Sequence, residues 1–178
     1  MKYCSKCGSG NLEFKIPADD SLKRFCCKEC SSIFYTNPNI IVGALCMWQD
    51  KVLLAKRNIQ PRQGLWTLPA GFMENAETMR EGASREVHEE TLASIELLQP
   101  YTAFSLTHIS QVHFFYLAKL KSLDFGPTPE SQEVKLFDEG EIPWQKIAFP
   151  TVTKTLEYFF QDKKSGKFDF REEDIKLF

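Results

Sequence analysis

Glu86, Glu89 and Glu90 crowd beside Arg85 within the glutamate-rich stretch GFMENAETMREGASREVHEETLA, residues 71–93. Glutamate is a good helix former, so a solvated acidic helix face is the plain explanation. On a helix advancing about 100° per residue, the three carboxylates fall on one face, and like charges at i, i+4 destabilise an isolated helix. A cation would relieve them. Hard divalent ions such as Mg²⁺ take oxygen ligands and leave positions for water or substrate phosphate. On a diphosphate such an ion neutralises charge, orients the chain and acidifies bound water.

A second set of chemically capable residues lies at the N-terminal end. Five of the six cysteines fall within the first thirty residues: Cys4, Cys7, Cys26, Cys27 and Cys30. Cys4-x2-Cys7, nineteen residues, then Cys27-x2-Cys30 fits a four-thiolate Zn²⁺ site, because each CxxC knuckle delivers two sulfurs from one tight turn. Cys27 is preferred over Cys26 because only Cys27 makes the x2 spacing with Cys30. Gly8 follows the first knuckle, where a positive φ is often needed. A redox CxxC would not need a second copy.

Certain elements must position these groups. Residues 1–36 are too short to hold a core unaided, so a zinc ribbon over 1–36 and one larger domain over 37–178 are expected, with the turn-rich NPN at 37–39 as the seam. IIVGALCMW (40–48) and KVLLAKR (51–57) read as a hairpin, and LWTLPAGF as a short strand after a loop. Residues 77–92 read as a helix with Ala76, Ala83 and Val87 on its packing face. Gly82, a turn before Glu86, would leave room for a ligand. Two further strands follow in 93–108 and 110–120, then a Pro/Gly/Ser loop over 121–132 and a strand EVKLFD. Phe149, Val152, Leu156, Phe159 and Phe160 recur at helical spacing, with KKSGK ending that helix. Strands, helix, strands, helix indicate an α+β chain, an α/β/α sandwich on a mixed sheet.

Composition argues against several classes, a nucleic-acid binder being disfavoured but not excluded. The formal net charge is −2, and 43% of residues are hydrophobic. That lacks the basic excess of a nucleic-acid binder, and the ribbon's six Lys/Arg are offset by four Asp/Glu and a negative zinc centre. No run reaches the ~18 apolar residues of a membrane helix. The first ten residues lack the apolar core of a secretory signal, so a cytoplasmic location is the default expectation.

The order Gly71, Glu77, Arg85, Glu86, Val87, Glu89, Glu90 resembles the signature of the Nudix hydrolases: Gly, five residues, Glu, seven residues, Arg-Glu-aliphatic-x-Glu-Glu-x-Gly-aliphatic. The resemblance covers roughly residues 37–160 and departs at the end, where Leu92 stands for the usual Gly and Ala93 for a bulkier aliphatic. An altered helix exit is expected there, with the chemistry intact. The resemblance implies Mg²⁺ (or Mn²⁺) held by Glu86 and Glu90 with Glu89 assisting, Glu77 and Arg85 as a structural pair, and the Gly71 loop offering a carbonyl. It implies hydrolysis of a nucleoside diphosphate linked to another group. The base often comes from a later loop, which here offers Glu133, with Glu130 and Glu89 as alternatives.

With its ribbon and the stretch PESQEVKLFDEGEIPWQKIAFPTV, the chain is similar to dinucleotide pyrophosphatases acting on FAD and ADP-ribose. A dinucleotide diphosphate is then the substrate, AMP one product, and a homodimer compatible. NADH pyrophosphatases, some of which remove NAD caps from RNA, rank second, because only LQPYTAF (98–104) stands where they carry Ser-Gln-Pro-Trp-Pro-Phe-Pro. A non-catalytic nucleotide- or RNA-binding regulator is the rival of another class, disfavoured by the intact carboxylates. Tyr101, Phe104, Phe115 and Trp144 are candidates to stack a base, though each reads more readily as core. His108 and His113 read as surface or satisfied core histidines. Arg57 and Arg62 flank the loop before the motif and could meet phosphates.

Overall fold

The computed structural model describes residues 1–176, in two compact units that divide between Asn37 and Pro38. In the first, strands β1 (Leu12–Lys15), β2 (Arg24–Cys27) and β3 (Ile33–Phe34) form a three-stranded antiparallel sheet. Its two cysteine turns are built alike. Cys4 donates its N–H to Ser9 at 2.8 Å, and Cys27 donates to Ser32 at 2.9 Å. Gly8 follows Cys7 with φ 76°, and Ser31 occupies the matching position after Cys30 with φ 57°. The left-handed conformation suits Gly8 and is a cost for Ser31.

The second unit carries β4 (Asn39–Trp48), β5 (Lys51–Arg57), β6 (Trp66–Thr67), β7 (Ala70–Phe72), α1 (Met79–Thr91), β8 (Ile95–Leu106), β9 (Gln111–Leu120), β10 (Ser131–Phe137), α2 (Pro150–Ser165) and β11 (Arg171–Asp174). The strands run in the order β10-β5-β4-β9-β8-β11, with β6 beside β5 and β7 beside β4. Two pairs, β4–β9 and β8–β11, are parallel; the others are antiparallel. The sheet is therefore mixed.

Alternation along the strands divides the core in two. Val42, Ala44 and Cys46 of β4 pack with Ala83 and Val87 of α1. Leu45 of β4 and Phe115 and Leu117 of β9 pack with Val152, Leu156, Phe159 and Phe160 of α2. A helix on each face makes the α/β/α sandwich. Pro150 sits at the start of α2 and Gly166 caps its end with φ 73°, as a helix start and stop require.

The start of α1 differs from expectation. Thr78, not Glu77, is the N-cap, with a capping box to Glu81. This places Ala76 outside the helix, exposed and with φ 66°. At the other end Leu92 adopts φ 61° and its N–H bonds back to His88. The exit keeps the left-handed geometry of a glycine cap; what changes is that a leucine carries the strain. The strand β11 was not evident in the sequence, because REED is short and entirely charged.

One irregularity of the sheet creates the cleft. β4 and β5 pair only at their closed end, Met47 with Val52 and Trp48 with Lys51. Beyond it β7 pairs with β4 from Ile41–Phe72 to Gly43–Ala70, while β6 pairs with β5 at Ala55–Thr67 and Lys56–Trp66. The two strands splay, and the wedge between them opens into a cleft of about 460 Å³.

Candidate active site and thiolate centre

α1 sends Glu86, Glu89 and Glu90 toward the wedge, and all three line it with Arg85. Arg85 is the hub. It donates to both Glu77 oxygens at 3.0 and 2.7 Å, to Glu86 at 2.7 Å, to Glu89 at 2.9 Å and to the Phe72 carbonyl at 3.1 Å. The Glu77 carboxylate also accepts the Glu74 N–H at 2.7 Å. These bonds, led by the guanidinium, hold the Glu77 carboxyl down at about 2. They also tie the loop before α1 to the helix.

Two glycines allow the close approach. A Cβ at Gly71 would run into the Glu86 carboxylate, so β7 must be bare where that side chain lies. A Cβ at Gly82 would meet Glu77 Oε1 at 2.6 Å and Val42 at 2.9 Å. The room at Gly82 is filled by the Glu77 carboxylate and by β4, so it does not serve a ligand.

Glu90 is only 5% exposed, and its carboxylate accepts one hydrogen bond here, from the Ala70 N–H at 3.1 Å. Burial pushes its carboxyl up to about 8, and Glu86 beside it adds to the rise. Glu86 is raised as well, by burial first. Two buried carboxylates with less compensation than charge are the electrostatic mark of a site suited to a cation. The donors are all hard oxygens, the right kind for Mg²⁺ or Mn²⁺. Arg85, however, draws Glu86 and Glu89 to its own side. Among the described residues only the cysteines bring three or more candidate ligand atoms within 4.8 Å of one another. Holding a metal would require Glu86 to exchange Arg85 for the ion.

The later loop separates the two candidate bases. Glu130 lines the cleft and adds its charge to the fields at Glu86 and Glu90. Its backbone is fixed: Asn58 donates its N–H to the Glu130 carbonyl at 2.7 Å and its amide to the Pro129 carbonyl at 3.0 Å. Glu133 does not come to the cleft. A bulge between Ser131 and Glu133 sets Ser131 opposite Arg57 and Glu133 opposite Lys56. Residues paired across strands share a face, so Glu133 follows Lys56, 3.6 Å away, while Arg57 faces the cavity.

Of the aromatic candidates, Phe115 lines the cleft. Tyr101 and Phe104 are core residues, and the Tyr101 hydroxyl donates to Asp162 at 2.8 Å. Trp144 packs edge-on to Phe160. Phe149 lines the cleft under Arg57, whose guanidinium lies 5.3 Å from its ring centre; its helical spacing marked it only as core. Arg57 lines the cleft and donates through Nε to the Pro61 carbonyl at 2.8 Å. Arg62 lies outside, and His108 sits in an exposed turn. His113 is buried, lines the cleft, and has both ring nitrogens hydrogen-bonded.

In the ribbon, Cys4, Cys7, Cys27 and Cys30 bring their sulfurs within 4.8 Å of one another. Cys4–Cys30 and Cys7–Cys27 are each 3.6 Å apart. A tetrahedral Zn²⁺ with Zn–S near 2.3 Å requires sulfurs about 3.8 Å apart, so the four fit that ion. Cys26 points elsewhere, to the Arg24 carbonyl at 3.7 Å.

Residues 37–162, which carry this sandwich and its glutamate helix, match the NUDIX domain model, and residues 2–36 match the Nudix N-terminal zinc ribbon. The chain belongs to the Nudix hydrolase family. It is similar to a NUDIX hydrolase from Nitrosomonas europaea, 47% identical, with TM-score 0.96 over 99% of this chain and 100% of that one. It is 40% identical over 121 residues to an ADP-ribose pyrophosphatase of Methanocaldococcus jannaschii, covering 65% of this chain and 69% of the relative. It is 30% identical over 132 residues to the NAD-capped RNA hydrolase NudC of Photobacterium profundum, covering 73% of this chain. The match spans 47% of that relative, about half its length.

Proposed function

We propose that this chain hydrolyses the diphosphate linkage of a dinucleotide of the FAD or ADP-ribose type, giving AMP and a second monophosphate. The observation that carries the reading is the lining of the cleft. α1 and the later loop bring Glu86, Glu89, Glu90 and Glu130 to it, while β9 and the start of α2 bring the uncharged Gln111, His113, Phe115, Phe149 and Thr151, with Arg57 over Phe149. Among the described residues two cations line the cleft, and Arg85 is already engaged by three carboxylates. That leaves Arg57 for phosphate. One open arginine suits a diphosphate carrying a flat neutral ring better than a triphosphate chain.

Glu86 and Glu90, with Glu89 at the rim, are the residues to hold Mg²⁺ or Mn²⁺, which when bound supplies charge neutralisation and acidity to water. Arg57 orients a phosphate oxygen. Glu130 accepts the proton of the attacking water as the new P–O bond forms and the bridging P–O bond breaks. Apolar walls at Ile41, Phe115 and Phe149 keep bulk water from the ring. In the ribbon, Zn²⁺ on the four cysteines supplies the folding free energy that a segment without a core lacks.

Hydrolysis of ADP-ribose, FAD, NADH and nucleoside triphosphates, with and without Mg²⁺, tests the reading. Magnesium-dependent release of AMP from a dinucleotide is expected. Triphosphates turned over far faster than every dinucleotide would sink it. The similarity to NudC supports NADH or NAD-capped RNA as the second reading, and a clear preference for NADH would promote it.

A further inference from the structure

Gln111, His113 and Phe115 alternate along β9 onto the face that lines the cleft. Gln111 Oε1 lies 3.0 Å from His113 Nε2, and His113 Nδ1 lies 3.1 Å from Thr151 Oγ1. Burial holds the His113 ring neutral, its pKa pushed down to about 4. A neutral imidazole has one N–H. With a carbonyl oxygen facing Nε2, the proton belongs there, and Thr151 donates to Nδ1. The arrangement uses the acceptor of the Gln111 amide; Gln111 lines the cleft, and among the described residues nothing accepts from its two N–H donors.

The sheet sets the distance from β9 to β7, whose Gly71 lies against the Glu86 carboxylate. Ile41 of β4 pairs with Phe72 of β7 on one side and with His113 of β9 on the other. Neighbouring strands lie about 4.8 Å apart, so β9 stands roughly 10 Å from β7. That span leaves space for a pentose between a diphosphate at the glutamates and a ring at Gln111.

We propose that Gln111 is a specificity-determining residue, donating its amide N–H to a ring nitrogen or carbonyl on the edge of the substrate's neutral ring, and that His113 is the residue that positions it. The proposal deepens the function proposed above and rests on it. A donor pair rejects a ring edge that presents only donors, because its own N–H groups would then be left unpaired.

Steady-state kinetics on whichever of ADP-ribose, FAD and NADH the wild type hydrolyses, with Mg²⁺, test this. Gln111→Leu is expected to raise KM about tenfold with kcat within about twofold, the signature of lost uniform binding. His113→Phe is expected to raise KM similarly, and the double variant to be no worse than either single one, because the two act through one hydrogen bond. If His113→Phe does not fold, Thr151→Val removes the other anchor of the ring, and a KM rise of about threefold is expected. A wild-type KM in Gln111→Leu overturns the inference while leaving the function standing. Additive effects in the double variant, or a fall in kcat alone, overturn the positioning role. If wild type cleaves none of the three dinucleotides, both readings fall together.

Discussion

Glu90 and Asp162 are buried to nearly the same degree, 5% and 3% exposed, yet their surroundings are opposite. Asp162, on α2, receives both terminal nitrogens of Arg171 at 2.6 and 2.5 Å and the Tyr101 hydroxyl at 2.8 Å. Its charge is matched and its lone pairs are largely used. The cluster pins the chain after α2 so that β11 can join β8. Glu90 receives one backbone N–H and feels the charges of Glu86 and Glu130 against that of Arg57 alone. A buried carboxylate that is fully provided for is architecture, whereas one left short of positive charge marks where something else must bind.

Neutralising each acid in turn should separate the two. Glu90→Gln or Glu86→Gln is expected to lower kcat/KM by about 10³-fold or more, the loss of several kcal/mol of metal-borne stabilisation. The melting temperature should hold or rise, since a costly buried charge is removed. A variant that loses stability in proportion to activity would erase the distinction. Asp162→Asn should do the reverse, costing about 3 kcal/mol in denaturant unfolding because Arg171 is left without its partner. Activity per folded molecule should be unchanged.

Among the later-loop acids, Glu130→Gln is expected to lower kcat by about 10²–10⁴ while the Mg²⁺ titration midpoint stays fixed, as for a base and not a ligand. Glu133→Gln, facing Lys56, should stay within about twofold of wild type. Equal losses in the two would return the role to the start of β10.

A third buried titratable group, His113, gives a smaller effect through pH. Folding keeps its ring neutral, so between about pH 6.5 and about 4 the unfolded chain binds a proton that the folded one does not. Its contribution is complete above about pH 6.5 and lost as pH falls toward 4, by about 1.4 kcal/mol per unit crossed. Unfolding curves of wild type and His113→Asn should converge across that window. The smallest change tests strain: Leu92→Gly should add about 0.5 kcal/mol, the left-handed penalty less the entropy gained by the unfolded chain.

The motif glutamates and the cysteine knuckles were legible because helical and CxxC spacings are local, and local spacing survives folding. So were the long apolar strands and the α2 stripe. Glu133 lies outside the cleft because a one-residue bulge reverses the face of every later side chain, and nothing in SQEVKLF announces it. Gly82 misled because its emptiness is claimed by Glu77, five residues earlier and outside the helix. Tyr101 and Phe104 read more readily as core than as platform from the sequence, and their rows in the sheet place them in the core. Gln111 was unread: a glutamine opening a strand says nothing until Thr151, forty residues away, fixes the histidine between them.

The splaying of β4 from β5 carries a consequence for how this molecule can change over evolutionary time. The separation between β7, which lies against Glu86, and β9 is counted in strands, with Ile41 as the middle mark. Loops can lengthen, shorten or exchange residues without altering that span, because backbone hydrogen bonds measure it. Variation around the rim can therefore alter which ring is accepted, while the reach from ring to scissile bond stays constant until a strand itself slips register.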